Sequence, residues 1–156
     1  MRRIVSNFFI SLDGVVEAPN EWHFPYFDDE MGRIIGEGMQ GQSAFLLGRR
    51  LYDEWSESWP AQGPDVPFSS YINNAPKYVL THRPIEGEVW TNTTVLGEDA
   101  VAQIQSLKAQ GEGDIGMSGC ATTVRWLLAH DLLDELSLLV HPIAVARGQR
   151  LFEDTG

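Results

Sequence analysis

Six short apolar runs, separated by longer stretches in which apolar residues recur every three or four positions, leave one broad fold class open to this chain. The runs are Ile4 to Ile10, Ala44 to Leu47, Lys77 to Thr81, Thr93 to Leu96, Ile115 to Ser118 and Glu135 to Ile143, all of strand length. Between them, Met31, Ile34, Ile35 and Met39 share one helical face. Val101, Ile104 and Leu107 share a second, and Val124, Leu127, Leu128 and Leu132 a third. Asp28 and Asp29 stand where a first helical turn prefers acids, Thr122 can cap the third helix, and Gly111 can stop the second. Strands alternating with helices predict an α/β domain with a mainly parallel sheet. The last run is apolar almost throughout, which predicts a strand covered on both faces. Gly and Pro are spread evenly along the chain, so residues 1–156 read as a single domain.

Charge and composition remove several function classes. Eleven Lys plus Arg against 22 Asp plus Glu give a net charge of −11, which repels nucleic acid and anionic membrane surfaces. A hydrophobic fraction of 43% with 10% aromatics is enough for a packed core. The longest apolar candidate for a spanning helix, Ala129 to Ala146, is interrupted by Asp131, Asp134 and Glu135, so it falls short of the ~18 residues a span needs. The apolar run behind Arg2 and Arg3 is broken by Ser6, Asn7 and Ser11, unlike a secretory leader. The single cysteine, Cys120, makes no intramolecular disulfide, and a cytoplasmic location is expected. No metal is expected, because His23, His82, His130 and His141 are scattered without ligand spacing.

In open α/β sheets, ligands bind beyond the carboxyl ends of the strands, so the segments there are the candidate site. Ser118-Gly119-Cys120-Ala121-Thr122 is a small-residue turn that opens a helix, where free backbone amides favour a phosphate or pyrophosphate. Gly48-Arg49-Arg50 places two guanidinium groups directly after a strand, and Thr81-His82-Arg83 does the same with a second cationic pair. If the two strands are neighbours, these four side chains form a cationic pocket suited to an adenosine 2′-phosphate, which favours NADPH over NADH. The alternative is a surface Arg pair that neutralises Asp53, Glu54 and Glu57.

Five motifs in this order resemble the dihydrofolate-reductase-like superfamily, specifically the bacterial branch related to the C-terminal reductase domain of the riboflavin-biosynthesis deaminase/reductase. They are the stretch from Phe9 to Val15 (Phe-Ile-Ser-Leu-Asp-Gly-Val), Pro25 to Gly32, Leu46 to Tyr52, Pro76 to Thr81, and Ser118-Gly119 through Asp134-Glu135-Leu136 and His141-Pro142-Ile143. The resemblance implies a three-layer α/β/α fold and NADPH lying across the strand ends. Gly48, Arg49, Arg50 and Leu51 would contact the adenosine phosphates, with Thr81, His82 and Arg83 opposite. Ser118, Gly119, Cys120, Ala121 and Thr122 would cradle the pyrophosphate and nicotinamide ribose, and Leu12, Asp13 and Val15 would border the nicotinamide. It also implies a homodimer. Relatives continue past Leu151-Phe152 with a β-hairpin, so this sheet is expected to be about two strands short of theirs, its edge covered by a further tail or a partner chain.

The hydride acceptor of such an enzyme is a flat heterocycle of pterin or pyrimidine type, for which Trp22, Phe24 and Tyr52 are the candidate contacts. Reduction of a C=N bond also takes a proton. Folate reductases place an acid two residues after a Trp-x-x-Pro motif. Here Trp22-His23-Phe24-Pro25 is followed at that distance by Phe27, and Asp28 stands one residue late. Asp28 is either the displaced equivalent or a helix-start acid, and Asp13 is either the competing catalytic acid or part of an Asp-Gly turn. Two further readings stay open: a reductase of a phosphoribosylaminopyrimidine, as in riboflavin synthesis, and a nucleotide-binding protein of the same fold without catalysis.

Overall fold

Alternation along the central strand β2 (Gln42–Gly48) explains why helices cover both sides of the sheet. Ala44 and Leu46 point into one apolar cluster, and Phe45 and Leu47 into another. The computed structural model describes residues 2–63, 65–66, 69–87, 89–118 and 121–152, without the side chains of Asn20, Met39 and Ser118. Around β2 stand β1 (Ile4–Ser11), β3 (Lys77–Leu80), β4 (Thr93–Leu96), β5 (Asp114–Ser118) and β6 (Glu135–His141). Their order is β4-β3-β2-β5-β1-β6, and every neighbouring pair is parallel. The helices are α1 (Asp29–Gln40), α2 (Arg49–Ser58), α3 (Ser69–Asn74), α4 (Ala100–Ala109) and α5 (Ala121–Ala129). Ile104 of α4 and Val124 and Leu127 of α5 pack with Ile4, Phe8 and Ile10 on one face. Leu51 and Tyr52 of α2 and Ile72 of α3 pack with Phe45, Leu47 and Val79 on the other. Each such side chain contributes about 1.5–3 kcal/mol by leaving water.

All six expected strands are present, and the parallel α/β architecture holds. Three local expectations do not. Among the described residues β6 is the outermost strand of the sheet on that side, and Leu138 and Val140 stay 40% and 55% exposed rather than covered. The Arg49-Arg50 segment is not a loop but the first turn of α2, with Gly48 as its extended N-cap. The helical spacing of Leu51, Tyr52, Trp55 and Trp59 carries that signal. Thr122 is the second residue of α5 rather than its cap. Among the described residues, no helix is long and apolar enough to cross a membrane.

Candidate functional site

Two carboxylates just past β1 fasten a returning segment of chain, and together they build one wall of a cleft. β1 ends in a tight turn in which Gly14 takes a left-handed φ of 84° and donates its amide to the Ser11 carbonyl at 3.0 Å. The chain after β6 comes back beside this turn. Val15 and Arg150 form an antiparallel bridge, and Leu151 and Val16 donate to the carbonyls of Gly14 and Gln149, each at 3.0 Å. Asp13 pins the start of that segment. Its carboxylate accepts the amides of Val145 at 3.0 Å and Ala146 at 2.7 Å and the Ser11 hydroxyl, with the Arg150 guanidinium at 3.7 Å. The Ser11 hydroxyl first, then the two amides, hold the Asp13 carboxyl ionised down to about 2. Glu17 fastens the other end by accepting the Gln149 amide at 2.9 Å, and Arg147 lies 3.5 Å from Glu21. Gln149 then reaches the Thr122 hydroxyl at 3.4 Å, which ties this strap to the start of α5.

The cleft encloses about 1110 Å³. Its walls are the strap (Val145, Arg147, Gly148, Gln149), the 16–22 segment, the first turns of α2 and the first residues of α5. Phe9, Trp22 and Trp55 supply aromatic surface. A second cavity of about 690 Å³ lies between the ends of β3 and β4 and the helices α4 and α5, lined by Thr81, His82, Asp99 and Trp126 among others. Thr122 and Thr123 line both spaces, so the two meet at the N-terminus of α5. The pairing of Gly48 with Leu80 sets the ends of β2 and β3 side by side, and there Arg49 crosses between them. Its Nε donates to Asp53 at 2.8 Å, and its Nη1 donates to the carbonyls of Arg83 at 2.9 Å and Pro84 at 3.3 Å and to the Thr81 hydroxyl at 3.3 Å.

The residues singled out from sequence therefore divide. Gly48, Arg49, Arg50, Leu51, Trp22, Ala121 and Thr122 line the large cleft, and Thr81 and His82 line the second cavity. Arg83 is exposed beside them. Leu12 turns outward and is 68% exposed, while Val15 is fully buried, so Val16 and Glu17 border the cleft in their place. Tyr52 is 2% exposed and its hydroxyl accepts the Trp90 amide at 3.1 Å, which makes it core rather than a substrate contact. Phe24 is exposed and is not among the residues that line the cleft. Asp28 accepts the Met31 amide at 2.8 Å and serves α1 as its N-terminal cap. Ser118 pairs through its backbone with Asn7, and Gly119 and Cys120 lie outside the described residues. Sequence reasoning missed Glu17, Arg147 and Gln149, since neither motif nor spacing marks them, and named Glu54 only as a neutralising partner of the Arg pair, where it does stand, 3.5 Å from Arg50.

Behind Phe9 and Trp22, His23 and His141 are buried with ring centroids 6.0 Å apart. His23 stacks on Phe9 at 4.7 Å, and among the described residues its Nδ1 and the Nε2 of His141 have no hydrogen-bond partner. Burial first, and the neighbouring His141 second, push the His23 pKa below its ordinary 6.5. The unfolded chain thus takes up a proton that the folded chain resists, so this contribution to stability is complete above that ordinary value and is lost as pH falls below it. Replacing His23 with Phe keeps the stacked ring and removes the titrating group. Urea unfolding of His23→Phe is expected to show a flatter stability profile than wild type between about pH 7 and about pH 5. Parallel profiles would contradict the assignment.

The model of the RibD C-terminal domain family matches residues 2–156. The protein YyaP of Bacillus subtilis (strain 168) is 26% identical over 157 residues, which cover 98% of this chain and 81% of YyaP. Among solved structures, a protein of Shewanella sp. PV-4 assigned to riboflavin biosynthesis superposes with a TM-score of 0.71 at 19% identity, covering 97% of this chain and 84% of its own. Dihydrofolate reductase from Enterococcus faecalis, complexed with NADP(H) and RAB-propyl, gives a TM-score of 0.62 at 15% identity over 97% and 77%. A diaminohydroxyphosphoribosylaminopyrimidine deaminase/5-amino-6-(5-phosphoribosylamino)uracil reductase from Thermotoga maritima gives 0.64 at 14% identity, matching 99% of this chain and 50% of that one. At these identities, the structural likeness is one of fold: a parallel α/β sheet of the dihydrofolate-reductase type.

Proposed function

Because the chain belongs to the RibD C-terminal domain family, we propose that it is a reductase that uses NADPH to reduce a small heterocycle of pterin or pyrimidine type. The observation that carries this reading is the meeting of two cavities at the N-terminus of α5. A dinucleotide has two ends joined by a pyrophosphate, and a helix N-terminus offers amides and a favourable dipole to that anionic joint. The residues present fit such a group. Ala121, Thr122 and Thr123 would hold the pyrophosphate, the second cavity would take one end, and the larger cleft would take the other together with the heterocycle. When bound, NADPH supplies the hydride.

The chain's own residues then do the positioning. Phe9, Trp22 and Trp55 give the cleft the apolar walls against which a flat ring stacks. Asp13, held ionised down to about 2, is not poised to release a proton near neutral pH. It acts as a positioning residue by holding the 145–150 wall. With Asp28 spent on capping α1, the proton that accompanies hydride transfer comes from water entering the open cleft. Arg49 is occupied by Asp53 and by the loop after β3, so recognition of the 2′-phosphate falls to His82 and Arg83.

Isothermal titration checks this directly. NADPH is expected to bind at least about tenfold more tightly than NADH, and Arg83→Ala to remove most of that difference. Equal or absent affinities would overturn the cofactor assignment. Oxidation of NADPH in the presence of a panel of pterins, pyrimidines and quinones separates a reductase from a nucleotide-binding protein.

A further inference from the structure

We infer that the substrate bound in the large cleft carries no phosphate, and that Glu17, with Glu54, enforces this choice. The inference rests on the reading of this cleft as the substrate site. Three arginines line it, Arg49, Arg50 and Arg147, and so do three glutamates, Glu17, Glu21 and Glu54. Each arginine already has a carboxylate. Arg49 donates to Asp53 at 2.8 Å, Arg147 lies 3.5 Å from Glu21, and Arg50 stands between Glu17 at 3.6 Å and Glu54 at 3.5 Å. Three backbone donors of the strap are committed in the same way, Val145 and Ala146 to Asp13 and Gln149 to Glu17.

A phosphate entering this space would meet no arginine without a carboxylate partner, in a lining whose three arginines and three glutamates leave no net positive charge. Recognition of a phosphate monoester depends on unspent guanidinium or amide donors, so this lining selects against one. Glu17 is central because a single side chain removes both an amide and an arginine from use. One oxygen takes the Gln149 amide, and the other faces Arg50. The close approach of the strap keeps it there, since the backbone at Gly148 passes so near that a side chain would meet Glu17 Oε2 at 2.7 Å. What the lining does welcome is an uncharged ring with amino and carbonyl edges, for which glutamate and glutamine side chains are hydrogen-bond partners.

Ribose 5-phosphate is a suitable probe, read by the fluorescence of Trp22 and Trp55 in the cleft, with NADP+ present at saturation so that the N-terminus of α5 is not available to the anion. Wild type is expected to show no saturation up to about 10 mM, while Glu17→Gln/Glu54→Gln binds at least about tenfold more tightly. Glutamine at position 17 keeps an oxygen for the Gln149 amide, and unfolding by urea verifies that the variant retains the fold. Saturable binding by wild type would overturn the inference, as would a variant that binds no better than wild type. Failure of the cofactor reading looks different: NADP+ itself would not bind, and the same comparison of wild type with variant, made without it, still decides the role of Glu17.

Discussion

Asp13→Ala is expected to shift the urea midpoint of unfolding downward and to weaken NADPH binding by about tenfold or more, although Asp13 does not line the cleft. Three donors lose their acceptor at once, the amides of Val145 and Ala146 and the Ser11 hydroxyl, and the Arg150 guanidinium loses an ion pair at 3.7 Å while its Nε keeps the Asp13 carbonyl. Charge-assisted bonds from amides to a carboxylate are the stronger kind, and an amide left without a partner costs more than the bond itself contributed. The segment so released supplies Val145, Arg147, Gly148 and Gln149 to the cleft wall, and Gln149 carries the contact with Thr122 at the start of α5. Asp13→Asn keeps one strong acceptor and should fall between wild type and alanine. The pH dependence has a definite sign. A carboxyl lowered from 3.8 to about 2 adds stability that is present above its ordinary value and is lost as pH falls through about 2. Its titration therefore contributes nothing between neutrality and mild acid, where His23 acts. An unchanged midpoint together with unchanged NADPH titration would show that the strap is held by other contacts.

The fold was legible because strand and helix periods differ, and each expected strand appears in place. Ala44 to Leu47 is the strand that proves buried on both sides, with alternate residues in the two clusters, a property expected only of the last run. β6 misled because an apolar run states only that its residues prefer burial. Its neighbour list is a property of the whole sheet, and the order places it at an edge. The cationic residues were legible as a group but not by role. Strand pairing does bring Arg49 beside Thr81 and Arg83, yet its donors go to Asp53 and to loop carbonyls 34 and 35 residues away in sequence. Asp13 and Glu17 were harder still. Their partners at 145–149 lie 132 or 133 residues further along, and no local pattern encodes an amide accepted over that distance.

Gly148→Ala should lose roughly 2–3 kcal/mol of stability and distort the cleft, whereas Ala146→Gly, two residues away, should gain about 0.5–1 kcal/mol. Gly148 has a φ of 95°, where a side chain costs about 1–2 kcal/mol through contact with its own backbone. A Cβ there would also meet Glu17 Oε2 at 2.7 Å, Glu17 Cβ at 3.2 Å and Val15 Cγ1 at 3.5 Å. Val15 is fully buried and cannot retreat, so Glu17 must move, giving up its bond to the Gln149 amide at a cost of about 1 kcal/mol. Ala146 presents the opposite case. It already holds a left-handed φ of 63° with a Cβ, fixed there by the bond from its amide to Asp13. Glycine would relieve that strain, and the greater freedom of the unfolded chain offsets only part of the gain. Urea midpoints at constant slope measure both changes, and ribose 5-phosphate titration adds a functional reading. Displacing Glu17 from the amide and from Arg50 should let Gly148→Ala bind the anion that wild type rejects, while Ala146→Gly should reject it as wild type does. If Gly148→Ala is destabilised yet still excludes the phosphate, strain at the strap and the charge balance of the cleft are separate properties of this wall.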